Sequence, residues 1–157
     1  MSGAVHTYTT TCSWEGSTSE GYDAYQRTHV ATAPPAEAAL TLSADPAFRG
    51  DPRLLDPEQL LVLAVSSCQL LSFLAVAARA RIDVVRYEDS AEGVMPGDEH
   101  PMSVTRIVLR PRITVRGDAD DSRLDHLCRV AHEHCFIANS VRTEILVEPT
   151  FVRDRAT

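Results

Sequence analysis

The 157 residues carry 22 acidic and 15 basic side chains, giving a formal net charge of −7, and 44% of them are hydrophobic. That size fits one domain with a substantial core, and the negative balance argues against nucleic acid and anionic membrane surfaces as partners. All 15 basic residues are arginine, which excludes lysine chemistry such as Schiff bases. The start of the chain, Met1-Ser-Gly-Ala-Val-His-Thr-Tyr8, has no basic segment followed by an apolar one. It therefore reads as lacking a signal peptide, which implies a cytoplasmic, reducing setting. Cysteines there are usually free, metal-bound or redox-active.

In chain order, Val5 to Glu15 is rich in threonine and aromatic residues and predicts a first strand. Gly16 to Gly21 reads as a turn, and Tyr25 to Ala33 as the returning strand of a hairpin. Ala38 to Ser43 predicts a short third strand, and Asp45 to Leu55 an irregular lead-in. A long helix follows over Asp56 to Ala78. Asp56 can cap it, Pro57 suits its first turn, and Gln59 completes a capping-box spacing. From Leu60 to Ala78 no residue is charged. A helix apolar all round is buried on every side or lies in a membrane. Ser66, Ser67, Gln69 and Ser72 in its middle favour burial.

Ile82 to Glu88 is β-branched and apolar, hence a strand, and Asp89 to Pro101 reads as a loop around Gly93, Pro96 and Gly97. From Thr105 to Val115 the odd positions are mostly apolar, while Arg106, Arg110, Arg112 and Arg116 occupy even ones. Such alternation predicts one face on a core and one in water, with Pro111 at an edge or bulge. Ser122 with Asp125 predicts the start of a second helix. Its apolar positions Leu124, Leu127, Cys128, Ala131, Cys135 and Ala138 keep helical spacing up to a C-cap at Asn139. Arg142 to Val152 predicts a last strand. The pattern βββ-α-ββ-α-β defines an α+β fold in a single domain over 1–157, with N-terminal strands in 1–55, the central helix in 56–80 and β-β-α-β in 81–157.

The chemistry rests on cysteine. Cys12, Cys68, Cys128 and Cys135 form no Cys-x-x-Cys pair, and Cys12 and Cys128 read as packing. Cys68 stands mid-helix behind two small serines, and Cys135 on the apolar face of the second helix. Each is either a small buried hydrophobe or half of a redox pair. A nucleophilic Cys68 among leucines needs a nearby cation, and without lysine that cation is an arginine or histidine. Arg27 and Arg49 are the candidates outside plainly solvated faces. A zinc reading is also open, because Cys128, His132 and Cys135 fall at i, i+4 and i+7, with His6 or His29 as a fourth ligand. His126 and His134 read as solvent-facing.

One paired motif goes further. Asp56-Pro-Glu-Gln-Leu-Leu, with Cys68 ten residues after Glu58, is followed 67 residues later by Ala131-His-Glu-His-Cys135-Phe-Ile-Ala-Asn-Ser140. This pattern resembles the OsmC/Ohr family of osmotically induced and organic hydroperoxide resistance proteins, in a less typical subgroup. Phe136 stands where the family usually has proline, and Ser140 comes late. The resemblance implies antiparallel sheets around a long buried helix carrying Cys68, a second helix carrying Cys135, and an intertwined homodimer. It also implies a cysteine-based peroxidase that reduces organic hydroperoxides. Cys68 would be peroxidatic and Cys135 resolving, and Glu58 would be paired with an arginine, Arg27 or alternatively Arg49. No cofactor or metal is implied, and electrons would come from an external dithiol of the lipoyl type. Ten helical residues span roughly 15 Å, so Glu58 acts through an intermediary or on a neighbouring chain. A non-catalytic module holding an apolar ligand at the dimer interface is the alternative.

Overall fold

Among residues 3–154, which the computed structural model describes, nine strands and two α-helices follow one another. They are β1 (Thr11–Ser13), β2 (His29–Thr32), β3 (Ala39–Leu42), α1 (Pro57–Arg79), β4 (Asp83–Asp89), β5 (Glu92–Val94) and β6 (Arg106–Leu109). Then come β7 (Pro111–Arg116), α2 (Asp121–Glu133), β8 (Glu144–Val147) and β9 (Thr150–Arg153), with 3₁₀ turns at Pro46–Phe48 and Ala138–Ser140. Met1 and Ser2 of the N-terminal stretch read above lie outside the described residues. The chain gathers into two compact units, residues 1–60 and 61–157.

In the first unit β1, β2 and β3 form an antiparallel sheet in that order. The expected hairpin is present, though pairing covers only Thr11–Ser13 of the longer first strand anticipated from composition. Cys12 is exposed there and packs into no core, contrary to its sequence reading. Helix α1 opens with the anticipated capping box. Gln59 N donates to Asp56 Oδ1 at 2.7 Å, and Asp56 N donates to Gln59 Oε1 at 3.2 Å.

The second unit holds two three-stranded sheets, β4-β7-β9 and β5-β6-β8. They are mixed and not purely antiparallel, because β6 pairs with β8 and β7 with β9 in parallel. Each of two predicted strands is broken in front of a proline. Between β6 and β7, Arg110 N leaves the ladder to donate to Asp89 Oδ1 at 2.7 Å, and Pro111 has no N–H to offer. Between β8 and β9 the break falls at Glu148-Pro149, where Glu148 N still reaches Leu109 O at 2.8 Å. The two breaks lie side by side, so the ladder changes neighbours there. The alternation survives along β7, where Ile113 and Val115 are buried; in β6 Val108 is buried together with Ile107 and Leu109, and the four arginines face outwards. Strand β5 falls inside the predicted loop. Its Gly93 allows a close approach rather than a turn, since a Cβ there would stand 2.5 Å from Val62 Cγ2 of α1.

Helix α2 begins two residues earlier than expected. Asp120, not Ser122, caps it by accepting from Arg123 N at 2.8 Å. It also stops early, at Glu133, so Cys135 lies just beyond α2 and not on it. The chain tightens there, with Cys135 N donating to His132 O at 3.1 Å. Asn139 still serves the helix end, its Nδ2 donating to Glu133 O at 2.9 Å.

Helix α1 is long and apolar enough to cross a membrane. In this chain it buries one stripe, Val65, Gln69, Phe73 and Ala77, at i, i+4 spacing. Phe73 and Ala77 pack with Ile113 and Val115 of β7 and with Leu124, Leu127, Cys128 and Ala131 of α2. Val65 packs with Ile107 and Leu109 of β6. The other faces stay open: Leu63 is 56% and Leu71 63% exposed. Burial on all sides is therefore not reached within one chain.

Phe73 is fully buried at the centre of the larger cluster. Phe73→Ala is expected to lower unfolding stability by about 3–5 kcal/mol, measured by urea denaturation, whereas Leu71→Ala is expected to change the stability of the single chain by far less.

Candidate active site

The second unit brings two of the predicted residues together. Cys68 stands in the fourth turn of α1 and Cys135 just past the end of α2, and their thiols are neighbours. Both cysteines are free. Cys68 is partly exposed, whereas Cys135 is 0% exposed. Burial pushes the Cys135 thiol up to about 11, and the neighbouring Cys68 thiol adds to the rise. Cys135 therefore stays protonated at neutral pH.

Two polar links flank Cys68. Two residues before it, Ser66 Oγ donates to Asp89 Oδ2 at the end of β4, the same carboxylate that takes the Arg110 amide. One residue after it, Gln69 Nε2 donates to the backbone oxygen of Cys128 on α2 at 3.3 Å. Gln69 is 1% exposed, and its Oε1 has no partner. Such an orphaned buried acceptor costs about 1–3 kcal/mol. Tyr87 of β4 leans on Phe73 with ring centroids 6.0 Å apart, and its hydroxyl is likewise buried without a partner. Burial, and then the charge of Asp89, push its phenol well above the ordinary value. Sequence reasoning did not find these links. Their signal was the presence of Ser66 and Gln69 in an otherwise apolar run.

The remaining candidates lie in the first unit. Arg27, just before β2, has its guanidinium 3.7 Å from the Tyr25 ring centroid and 4.7 Å from that of Tyr22. Its terminal nitrogens donate to the backbone oxygens of the same two tyrosines. Arg49 pairs with Asp23 at 2.9 Å, with both side chains largely exposed. Glu58 is half-buried in the first turn of α1, ten residues from Cys68.

For metal, no group of three or more His, Cys, Asp or Glu side chains gathers at ligating distance among the described residues. Cys128 sits in the core cluster, where burial pushes its thiol up to about 12. His29 Nδ1 bonds to Arg27 O at 2.9 Å.

With this geometry in place, the comparisons with known proteins identify the class. Residues 50–150, about two thirds of the chain, match the OsmC-like protein family. The fold is similar to that of an OsmC-like protein of unknown function from Vibrio cholerae. That structure is 32% identical with a TM-score of 0.83, over 93% of this chain and 100% of that one. The chain belongs to the OsmC/Ohr family. Its fold also matches organic hydroperoxide resistance proteins from Elizabethkingia anophelis and Legionella pneumophila. The first is 16% identical with a TM-score of 0.68, over 96% of this chain and 99% of that one. The second is 15% identical with a TM-score of 0.67, over 94% and 98%. An uncharacterized Bacillus subtilis protein, YmaD, is 24% identical over 93 residues, 57% of this chain, and the match spans 62% of that relative's length.

Both buried thiols are raised from the ordinary 9.0, so the folded chain holds protons that the unfolded chain releases. Their contribution to stability is complete below about pH 9 and is lost as pH rises through about 11 to 12. Urea denaturation at pH 8 and pH 11 is expected to show the difference, with Cys128 alone accounting for about 2–3 kcal/mol of the fall. Cys128→Val is expected to flatten the dependence by that amount.

Proposed function

We propose that the chain is a thiol peroxidase that reduces organic hydroperoxides to alcohols through Cys68 and Cys135. The carrying observation is the asymmetric pair. One thiol is partly exposed and able to meet a substrate, and its neighbour is a second, buried thiol. Cys68 attacks as thiolate on the distal peroxide oxygen. The O–O bond breaks, and the alkoxide takes up a proton and leaves as the alcohol. Cys135 then loses its proton and attacks the Cys68 sulfenic acid, the S–O bond breaks, and the hydroxide leaves as water. The high pKa of Cys135 keeps it a poor nucleophile towards peroxide, so the first step belongs to Cys68.

Family resemblance supplies the remaining parts of this reading. Glu58 with Arg27, or alternatively Arg49, holds the thiolate and polarises the peroxide, and an external dithiol of the lipoyl type returns the disulfide to two thiols. The enzyme works in the cytoplasm as a homodimer. The open faces of α1, with Leu63, Leu71 and Leu74, and the 79% exposed Phe136 support an apolar partner surface. A non-catalytic module for an apolar ligand is the second reading. It is favoured by a mostly apolar cavity of about 360 Å³ in the first unit, lined by Trp14, Tyr25, Arg27, His29 and Pro57 among others.

One equivalent of cumene hydroperoxide is expected to yield a Cys68–Cys135 disulfide by non-reducing mass mapping. Cys135→Ser is expected to stop at a sulfenic acid trapped by dimedone, and Cys68→Ser to lose peroxide consumption by at least about 100-fold. Consumption by Cys68→Ser at the wild-type rate would overturn the peroxidase reading. An apolar molecule extracted from the purified chain, together with thiols inert to peroxide, would favour the binding module.

A further inference from the structure

We propose that Gln69 is a positioning residue for the Cys68–Cys135 pair, a role that rests on the redox reading above. The two cysteines sit on separate elements, α1 and the segment beyond α2, and a disulfide forms between them only if those elements hold a fixed register. Gln69 is the residue next to Cys68. Through Nε2 it grips the backbone oxygen of Cys128, which stands on α2 seven residues before Cys135. The bond therefore ties α1, beside its cysteine, to the helix that leads into the second one. On the other side of Cys68, Ser66 bonds to Asp89 and ties the same turn of α1 to the end of β4. The turn that carries the nucleophile is thus pinned by one polar contact before the cysteine and one after it.

The cost of this arrangement argues for a role beyond packing. Gln69 lies on the buried stripe between Val65 and Phe73, where the neighbours are apolar. Its Oε1 is buried without a partner. Leucine, close to glutamine in volume, would fill the position and leave no orphaned acceptor. A residue kept only for stability would be apolar here. What leucine cannot do is fix α1 against a particular carbonyl of α2, because apolar contacts tolerate sliding that a hydrogen bond does not.

The two roles give opposite results in Gln69→Leu. The test reaction is Cys68–SH + Cys135–SH + oxidised glutathione ⇌ Cys68–S–S–Cys135 + two reduced glutathione, followed by mass mapping across a series of glutathione ratios. With the positioning role, Gln69→Leu keeps or raises the melting temperature, and its disulfide equilibrium constant falls about tenfold. That corresponds to a potential about 30 mV less reducing for the two-electron couple. The rate of Cys68 sulfenate formation, followed with dimedone, stays within about twofold of wild type. If Gln69→Leu lowers the melting temperature and leaves the equilibrium unchanged, Gln69 is core filler and the proposal fails, while the peroxidase reading stands. A wild-type chain that forms no Cys68–Cys135 disulfide at any glutathione ratio overturns both.

Discussion

The structure depends on a single stripe of α1. Val65, Gln69, Phe73 and Ala77 are spaced so that one line along a 23-residue helix meets both sheets of the second unit and α2. That line fixes the helix in rotation, and rotation decides where Cys68 points. A cysteine one position along would turn about 100° away from its present direction. The thiol contact with Cys135 is therefore a consequence of core packing. Close packing makes it durable, since an interior near crystalline density resists the small shifts that would pull the sulfur atoms away from each other.

Polar groups inside that core have a different role. Gln69 is buried on the apolar stripe, while Ser66, Tyr87 and Asp89 are half-buried beside it, and Gln69 and Tyr87 each leave one atom unpartnered. Asp89 holds two things at once, the Ser66 hydroxyl and the Arg110 amide released at the break between β6 and β7. The break in the strand and the placing of the cysteine turn are thus mechanically connected through one carboxylate. Burial of Cys135 completes the chemistry. The same burial that raises its pKa also shields it from solvent, while Cys68 stays partly exposed.

Much of this was legible in the residues. Asp56 and Gln59 announce the start of α1, and the arginine alternation announces the outward face of β6 and β7. The ten-step from Glu58 to Cys68, with Cys135 far downstream, announces the family. Other readings failed, three of them for reasons visible in single residues. Gly93 signalled a loop, but it serves as the place where β5 passes close to Val62. Helical spacing carried α2 as far as Asn139, because the periodicity of apolar residues continues through a segment that has already left the helix. Cys12 was assigned to packing on composition, yet its short strand is exposed throughout.

By itself the sequence determined most of the local elements and the cap of α1, because those depend on neighbours a few residues apart. Only the tertiary structure decided that Cys68 and Cys135 meet, that one is open and the other shielded, and that Gln69 reaches the carbonyl of Cys128. These are contacts across 59 to 67 residues of chain. No local spacing encodes them; they follow from how one stripe of a helix is gripped by two sheets and a second helix.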